Sequence, residues 1–281
     1  MSERLKYERT DDIINFNGHL LHRIVALRDI KGVVRKGELG GYIEGSNNLS
    51  QKGNSWVFGN ARVYGEASVS GDALVYDDAN VYGNAFVDGY AHVHGSAHVF
   101  DRAKVCKDAS VSGEASVYGD SLVSDQSHVT ERARVYGNAR ILNKSSVRGY
   151  ACVHGDATLR DYSVVKDKAS VFGIASLFDE VIVYGDACID GEGVCLEGKA
   201  YICGNAIVRR NNDYMTFKNS WSSFRHFTCF MTSSGKTMWR VGCFYGTGDE
   251  LVAKAYSESE KSGDCYKAAV EMANKGVRVE Q

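Results

Sequence analysis

The segment "AHVHGSAHV", residues 91–99, places His92, His94 and His98 within seven positions. Imidazoles so spaced could ligate a metal or serve as general bases. A zinc site needs three or four ligands converging at about 2.0–2.1 Å. If residues 91–94 are extended, His92 and His94 flank an inward Val93 and point outward together, while His98 lies around the next turn. A third ligand would have to come from elsewhere, so these three are weak metal candidates. No P-loop or dinucleotide-binding glycine turn accompanies them. Many Ser, His and Asp residues are present, but no spacing singles out a triad.

The elements that must position these side chains follow from a repeat. From Val57 to Ile189 every sixth residue is Val, Ile or Leu without exception. Taking Val57 as position 1, position 5 is small: Ala61, Ala67, Ala73, Ala79 and Ala85, with Ser121, Ser127, Ser145 and Ser163 later. Position 3 is mostly Gly or Asp, and position 4 is often Asn, Asp or Glu. After Ile189 one extra residue enters, and the row resumes at Leu196, Ile202 and Val208. A period of six fits neither a helix nor a plain strand, which points to a repeat architecture. On an extended segment positions 5 and 1 face one side, inward, while positions 6 and 2 face out. Positions 3 and 4 form a turn that needs φ > 0. Three such units close a triangular coil of 18 residues. The absence of proline and the 30 glycines suit regular strands joined by tight corners.

The pattern aliphatic-x-x-x-small-x resembles the left-handed parallel β-helix of hexapeptide-repeat proteins, and the handedness is implied by that resemblance alone. The fold expected is mainly β: a triangular prism of about eight coils, with an N-terminal cap and a small α+β C-terminal domain. At about 4.8 Å per coil the prism would be roughly 40 Å long. Residues 1–50 form the first cap, with Asn17-Gly18 as a hairpin turn; residues 51–210 form the β-helix. Residues 211–281 form the second cap, read as three strands ("DYMTFKN", "FRHFTCFMTSS", "KTMWRVGCFYGT") and two helices. The second helix is expected to start near Gly263 or Asp264 and to end at a Gly276 cap. The stretch "LLHRIVALRDIKGVVRKGELGGYIEGSNNLSQKGNSWVFGNA" is similar to the opening of uncharacterised bacterial and prophage-type hexapeptide proteins.

The resemblance implies two chemistries. Hexapeptide acyltransferases use a His base beside a loop that interrupts the repeat, but here the register runs unbroken from 57 to 189. Proteins similar to γ-class carbonic anhydrases take a third His from another subunit; their remaining pattern is not found. Sorting outward residues by 18 exposes a different feature. One column carries Tyr64, Tyr82, Phe100, Tyr118, Tyr136, His154 and Phe172. Stacked at the coil spacing, these rings form a stiffening ladder, a subunit interface or a binding surface for a partner. A second column begins Phe58, Tyr76 and His94.

The expected function is therefore a non-catalytic binding or scaffold protein, with a phage-type accessory or host-interaction role. The alternatives are an acyl-CoA-dependent acyltransferase and a small-ligand sequestering protein, with a site between prisms or under the C-terminal cap. No cofactor is expected. Homotrimers are common among hexapeptide β-helices, so a homotrimer is expected, with a host protein or small ligand as partner. A net charge of −2, from 33 Lys and Arg against 35 Asp and Glu, argues against nucleic acid and anionic membranes. The chain shows no 18-residue apolar run and no leader pattern, and its eight cysteines lack any disulfide-framework spacing. A cytoplasmic location with reduced thiols follows.

Overall fold

The structure, a computed structural model, describes residues 5–277. It is mainly β: a parallel β-solenoid of about nine turns, then a small antiparallel sheet and two helices. The chain divides into two compact units between Gly149 and Tyr150.

In the first unit, β1 (Tyr7–Phe16) and β2 (His19–Ala26) pair antiparallel around Asn17 and Gly18. Both turn residues have positive φ, 53° and 88°, as the type I′ turn of a two-residue hairpin requires. β2 pairs with β3 (Leu39–Ile43), and β3 then runs parallel to Arg62–Val63. A parallel bridge joins Leu49 to Val69. Ile43 and Leu49 thus supply a turn ahead of the Val57 row, which raises the expected eight coils to about nine.

From there each coil lays three two-residue strands on the next coil 18 residues on. His92 pairs with Leu74 and Ser110, and His98 with Asn80 and Ser116. The Val row and the Ala column are wholly buried. Each corner turns on position 3, and every such residue from Gly59 to Gly149 has a positive φ. Glycine takes that conformation without a Cβ penalty, yet Asp recurs there too. Its carboxylate explains why. Asp77 accepts the Gly95 N–H at 3.0 Å, Asp101 the Gly119 N–H at 3.1 Å and Asp125 the Asn143 N–H at 3.2 Å. The side chain that carries the strain also satisfies the corner amide one coil away.

The buried serines of position 5 differ among themselves. Ser127 donates to the Ser124 and Ile141 carbonyls at 2.7 and 3.1 Å. The hydroxyls of Ser121 and Ser163 are buried and have no hydrogen-bond partner among the described residues. Ser121→Ala and Ser163→Ala should therefore each raise stability by about 1 kcal/mol, whereas Ser127→Ala should lower it. Urea unfolding of the three variants checks the contrast.

The N-terminal end holds a buried cation. The Lys6 ammonium, at 0% exposure, donates to the Ser55 carbonyl at 2.8 Å and hydroxyl at 3.1 Å. Burial, reinforced by the Arg28 charge, lowers its pKa to about 8 from an ordinary 10.5. A base depressed on folding disfavours the folded state while protonated. Between pH 8 and 10.5 the unfolded chain holds more of this proton, so the contribution of Lys6 to stability improves as pH rises. Buried tyrosines and thiols titrate in the opposite sense, but they are common to wild type and variant. Stability measured as wild type minus Lys6→Met should climb across that window; a flat difference would refute the assignment.

The second unit continues the pattern. Cys152–Val153, Ser170–Gly173, Cys188–Gly191 and Ile207–Val208 pair in succession. The extra residue after Ile189 shifts the spacing from 18 to 19, so Ser176 pairs with Cys195 and Ile182 with Tyr201. Beyond Val208 the expected three strands are four: Tyr214–Lys218, His226–Met231, Thr237–Val241 and Phe244–Gly246. Gly242, at φ 57°, turns the third expected strand into a hairpin.

Helix α1 (Gly248–Glu258) opens on a Thr247–Glu250 capping box. Helix α2 (Glu260–Gly276) starts earlier than expected, because Ser259 rather than Gly263 or Asp264 is the N-cap. Gly276 is its last helical residue and Val277 the cap. Phe227, Cys229 and Trp239 on one sheet face pack with Leu251, Ala255, Tyr266, Val270 and Ala273 of the helices. The eight cysteines are free thiols. No helix among the described residues is long and apolar enough to cross a membrane.

Candidate functional site

Position 2 follows the strand pair and precedes the corner, so its side chain leaves the wall of the prism in line with its counterparts one coil away. In the first unit the rings of the expected column stack. Tyr64–Tyr82, Tyr82–Phe100, Phe100–Tyr118 and Tyr118–Tyr136 have centroids 4.8–5.1 Å apart and planes within 8°. That spacing is the coil rise itself, and such pairs contribute about 0.5–1.5 kcal/mol each. In the second unit His154 and Phe172 stack at 4.8 Å. Tyr64 is covered by the N-terminal hairpin: Phe16 meets it edge-on at 5.9 Å and His19 at 4.9 Å. Its ring belongs to a cluster with Leu21 and Tyr42. Tyr82, Phe100, Tyr118 and Tyr136 remain half-buried.

Changing Tyr82, Tyr118 and Tyr136 together to Ser should lower stability by a few kcal/mol, from about 0.5–1.5 per lost ring pair. Thermal unfolding measures it. No change in melting temperature would mean the rings do not support one another.

The three histidines do not converge. His94 stacks on Tyr76 at 4.6 Å, its Nδ1 3.9 Å from Asp77. Burial pushes its pKa down against the pull of Asp77. His92 meets the same ring edge-on, with its Nδ1 3.5 Å from the phenol oxygen. His98 lies on the neighbouring sheet, edge-on to Tyr82, and burial lowers its pKa as well. Among the described residues no three His, Cys, Asp or Glu side chains are grouped as a metal would need. His92 and His94 thus share one tyrosine: His94 extends the second column's stack, and His92 braces the same ring edge-on.

A cleft of about 850 Å³ lies in the second unit, against the C-terminal sheet, lined by residues that sequence reasoning did not name. Its floor is Ile182, Tyr184 and Tyr201, from one solenoid sheet. Its far wall is Lys218, His226 and Arg240, from the polar face of the C-terminal sheet. Alternation builds that wall: Phe217, Phe227 and Trp239 turn to the helices, so their neighbours turn away. The available signal was Lys166 followed by Tyr184 in the second column.

Three stacks of short parallel strands, joined by corners whose residues have positive φ, define a β-solenoid, the β-helix class of protein. The YdcK beta solenoid repeat family matches residues 133–149, a stretch of one coil that holds Val135, Tyr136 and Ile141. No curated protein matches the chain significantly.

Proposed function

We propose that this chain is a non-catalytic binding scaffold, a left-handed hexapeptide-repeat β-helix that assembles as a homotrimer in the cytoplasm. Residues 1–50 and 211–281 cap its ends, and its role is that of a phage-type accessory or host-interaction protein. One observation supports this reading most: each corner from Gly59 to Gly149 turns on a single left-handed residue. Coils built that tightly spend their residues on walls and corners, and none on a loop that could enclose a substrate and exclude water. Their outward rings stack on one another, and His92 and His94 lean on Tyr76. A solenoid so reinforced is suited to presenting fixed surfaces.

The competing reaction is acyl transfer with an imidazole base. Incubation with acetyl-CoA and a panel of amines, with products read by mass spectrometry, tests it. Wild type and the His92→Ala/His94→Ala double variant should both yield no more acetylated amine than buffer. Turnover by wild type that the double variant loses would overturn the reading.

A further inference from the structure

We propose that the cleft between the last solenoid turns and the C-terminal sheet is a binding site for a small phosphorylated compound carrying a planar ring, of the nucleotide class. Its charge is one-sided. Glu180 pairs with Lys199 at 2.8 Å. Lys166, Lys218, Arg225 and Arg240 also line the cleft and have no acidic ion-pair partner among the described residues. In a chain whose net charge is only −2, four unneutralised cations around one concavity form a local anion trap.

Two of these cations are held in place by the fold. The Lys166 ammonium lies 5.0 Å from the centroid of the Tyr184 ring, and the Arg240 guanidinium 5.9 Å from the same ring. Arg240 also donates to the Cys243 carbonyl at 3.3 Å. Sharing one aromatic support costs less ordering entropy on binding than two free side chains would. A guanidinium fork beside an ammonium suits phosphate oxygens better than a lone carboxylate.

The planar-ring requirement comes from Phe224. This residue lines the cleft with 68% of its surface exposed, and its φ is 55°. A bulky side chain in the left-handed region is strained, and an exposed ring gains nothing from burial in return. With half-buried Tyr201 it offers an aromatic surface for a ligand ring beside the phosphate-binding pair. The volume falls within the range of small-molecule sites, about 300–1,000 Å³.

Isothermal titration of the full chain with AMP, ADP, adenosine and inorganic phosphate tests the site. The nucleotides should bind saturably at one site per chain and weaken with salt, while adenosine and phosphate should each bind at least about tenfold more weakly. Lys166→Gln/Arg240→Gln should cost about tenfold or more in nucleotide affinity while the protein stays folded at the titration temperature. The loss of two cation–π contacts should lower its melting temperature only slightly. Phe224→Gly should remove the preference for nucleotide over phosphate and leave the fold as stable or more so, because glycine relieves the strain. That combination separates a ligand-binding ring from a structural one. The proposal is overturned if the nucleotides give no saturable heat at low salt, or if the double variant binds as wild type does. It is also overturned if a single-stranded oligonucleotide binds more than about tenfold tighter than AMP, which would make the cleft a polymer groove.

Discussion

Val117→Asp is expected to unfold the first unit at temperatures where wild type is intact, while Tyr118→Asp is expected to be tolerated. Val117 is fully buried and stacked in register between Val99 and Val135. A carboxylate there finds no donor, since the amides of the coil are committed to the neighbouring coils. An uncompensated buried charge costs about 3–5 kcal/mol, to which the lost valine adds about 1.5–3 kcal/mol. The adjacent Tyr118 points out of the wall between Phe100 and Tyr136. Its loss removes two ring pairs, about 1–3 kcal/mol in all. Urea unfolding followed by circular dichroism compares the two. Equal damage from both would refute the inside/outside alternation on which the fold rests.

Truncation after Arg210 should convert the protein into an end-to-end associating species. The C-terminal sheet closes the last turns of its own unit: the Thr228 hydroxyl accepts the Tyr201 N–H at 3.0 Å, and the Asn205 carbonyl accepts the Ser233 N–H at 3.0 Å. Thr232 bridges to Ala206 as an antiparallel strand would. Without residues 211–281 the edge at Tyr201–Ile202 and Ile207–Val208 presents unpaired amides and carbonyls over an apolar core, a template for another chain. Light scattering should show mass that grows with concentration. A truncated chain that keeps the oligomeric state of the full one would make residues 211–281 a recognition domain rather than a cap.

The solenoid was legible because its physics is local and repeated. The Val57–Ile189 row fixes what lies inside, Gly or Asp at position 3 marks most corners, and columns 18 apart bring Tyr82 onto Phe100. Where the spacing broke, reading became harder. Leu49 and Val57 are eight apart, so the turn holding Ile43 and Leu49 was absorbed into the cap. In the C-terminal part a two-residue hairpin at Gly242-Cys243 left little compositional trace within "KTMWRVGCFYGT". Ser259 caps α2 only four residues before the Gly263-Asp264 pair that looked like its start. A ligand site under the C-terminal cap was an open alternative, but its residues were beyond reach for a different reason. Lys166, Tyr184, Phe224 and Arg240 come from separate elements, and only the packing of sheet against solenoid brings them to one site.

We propose that the ring column reinforces a stiff scaffold and is not an association surface. Native mass spectrometry of wild type beside the Tyr82→Ser/Tyr118→Ser/Tyr136→Ser variant tests this most directly. Aromatic anchors at a subunit interface usually dominate its association energy, so their removal there would dissociate the assembly. The account predicts a three-chain mass for both proteins, with the variant merely easier to unfold. A variant that appears as monomers while wild type stays trimeric would contradict it.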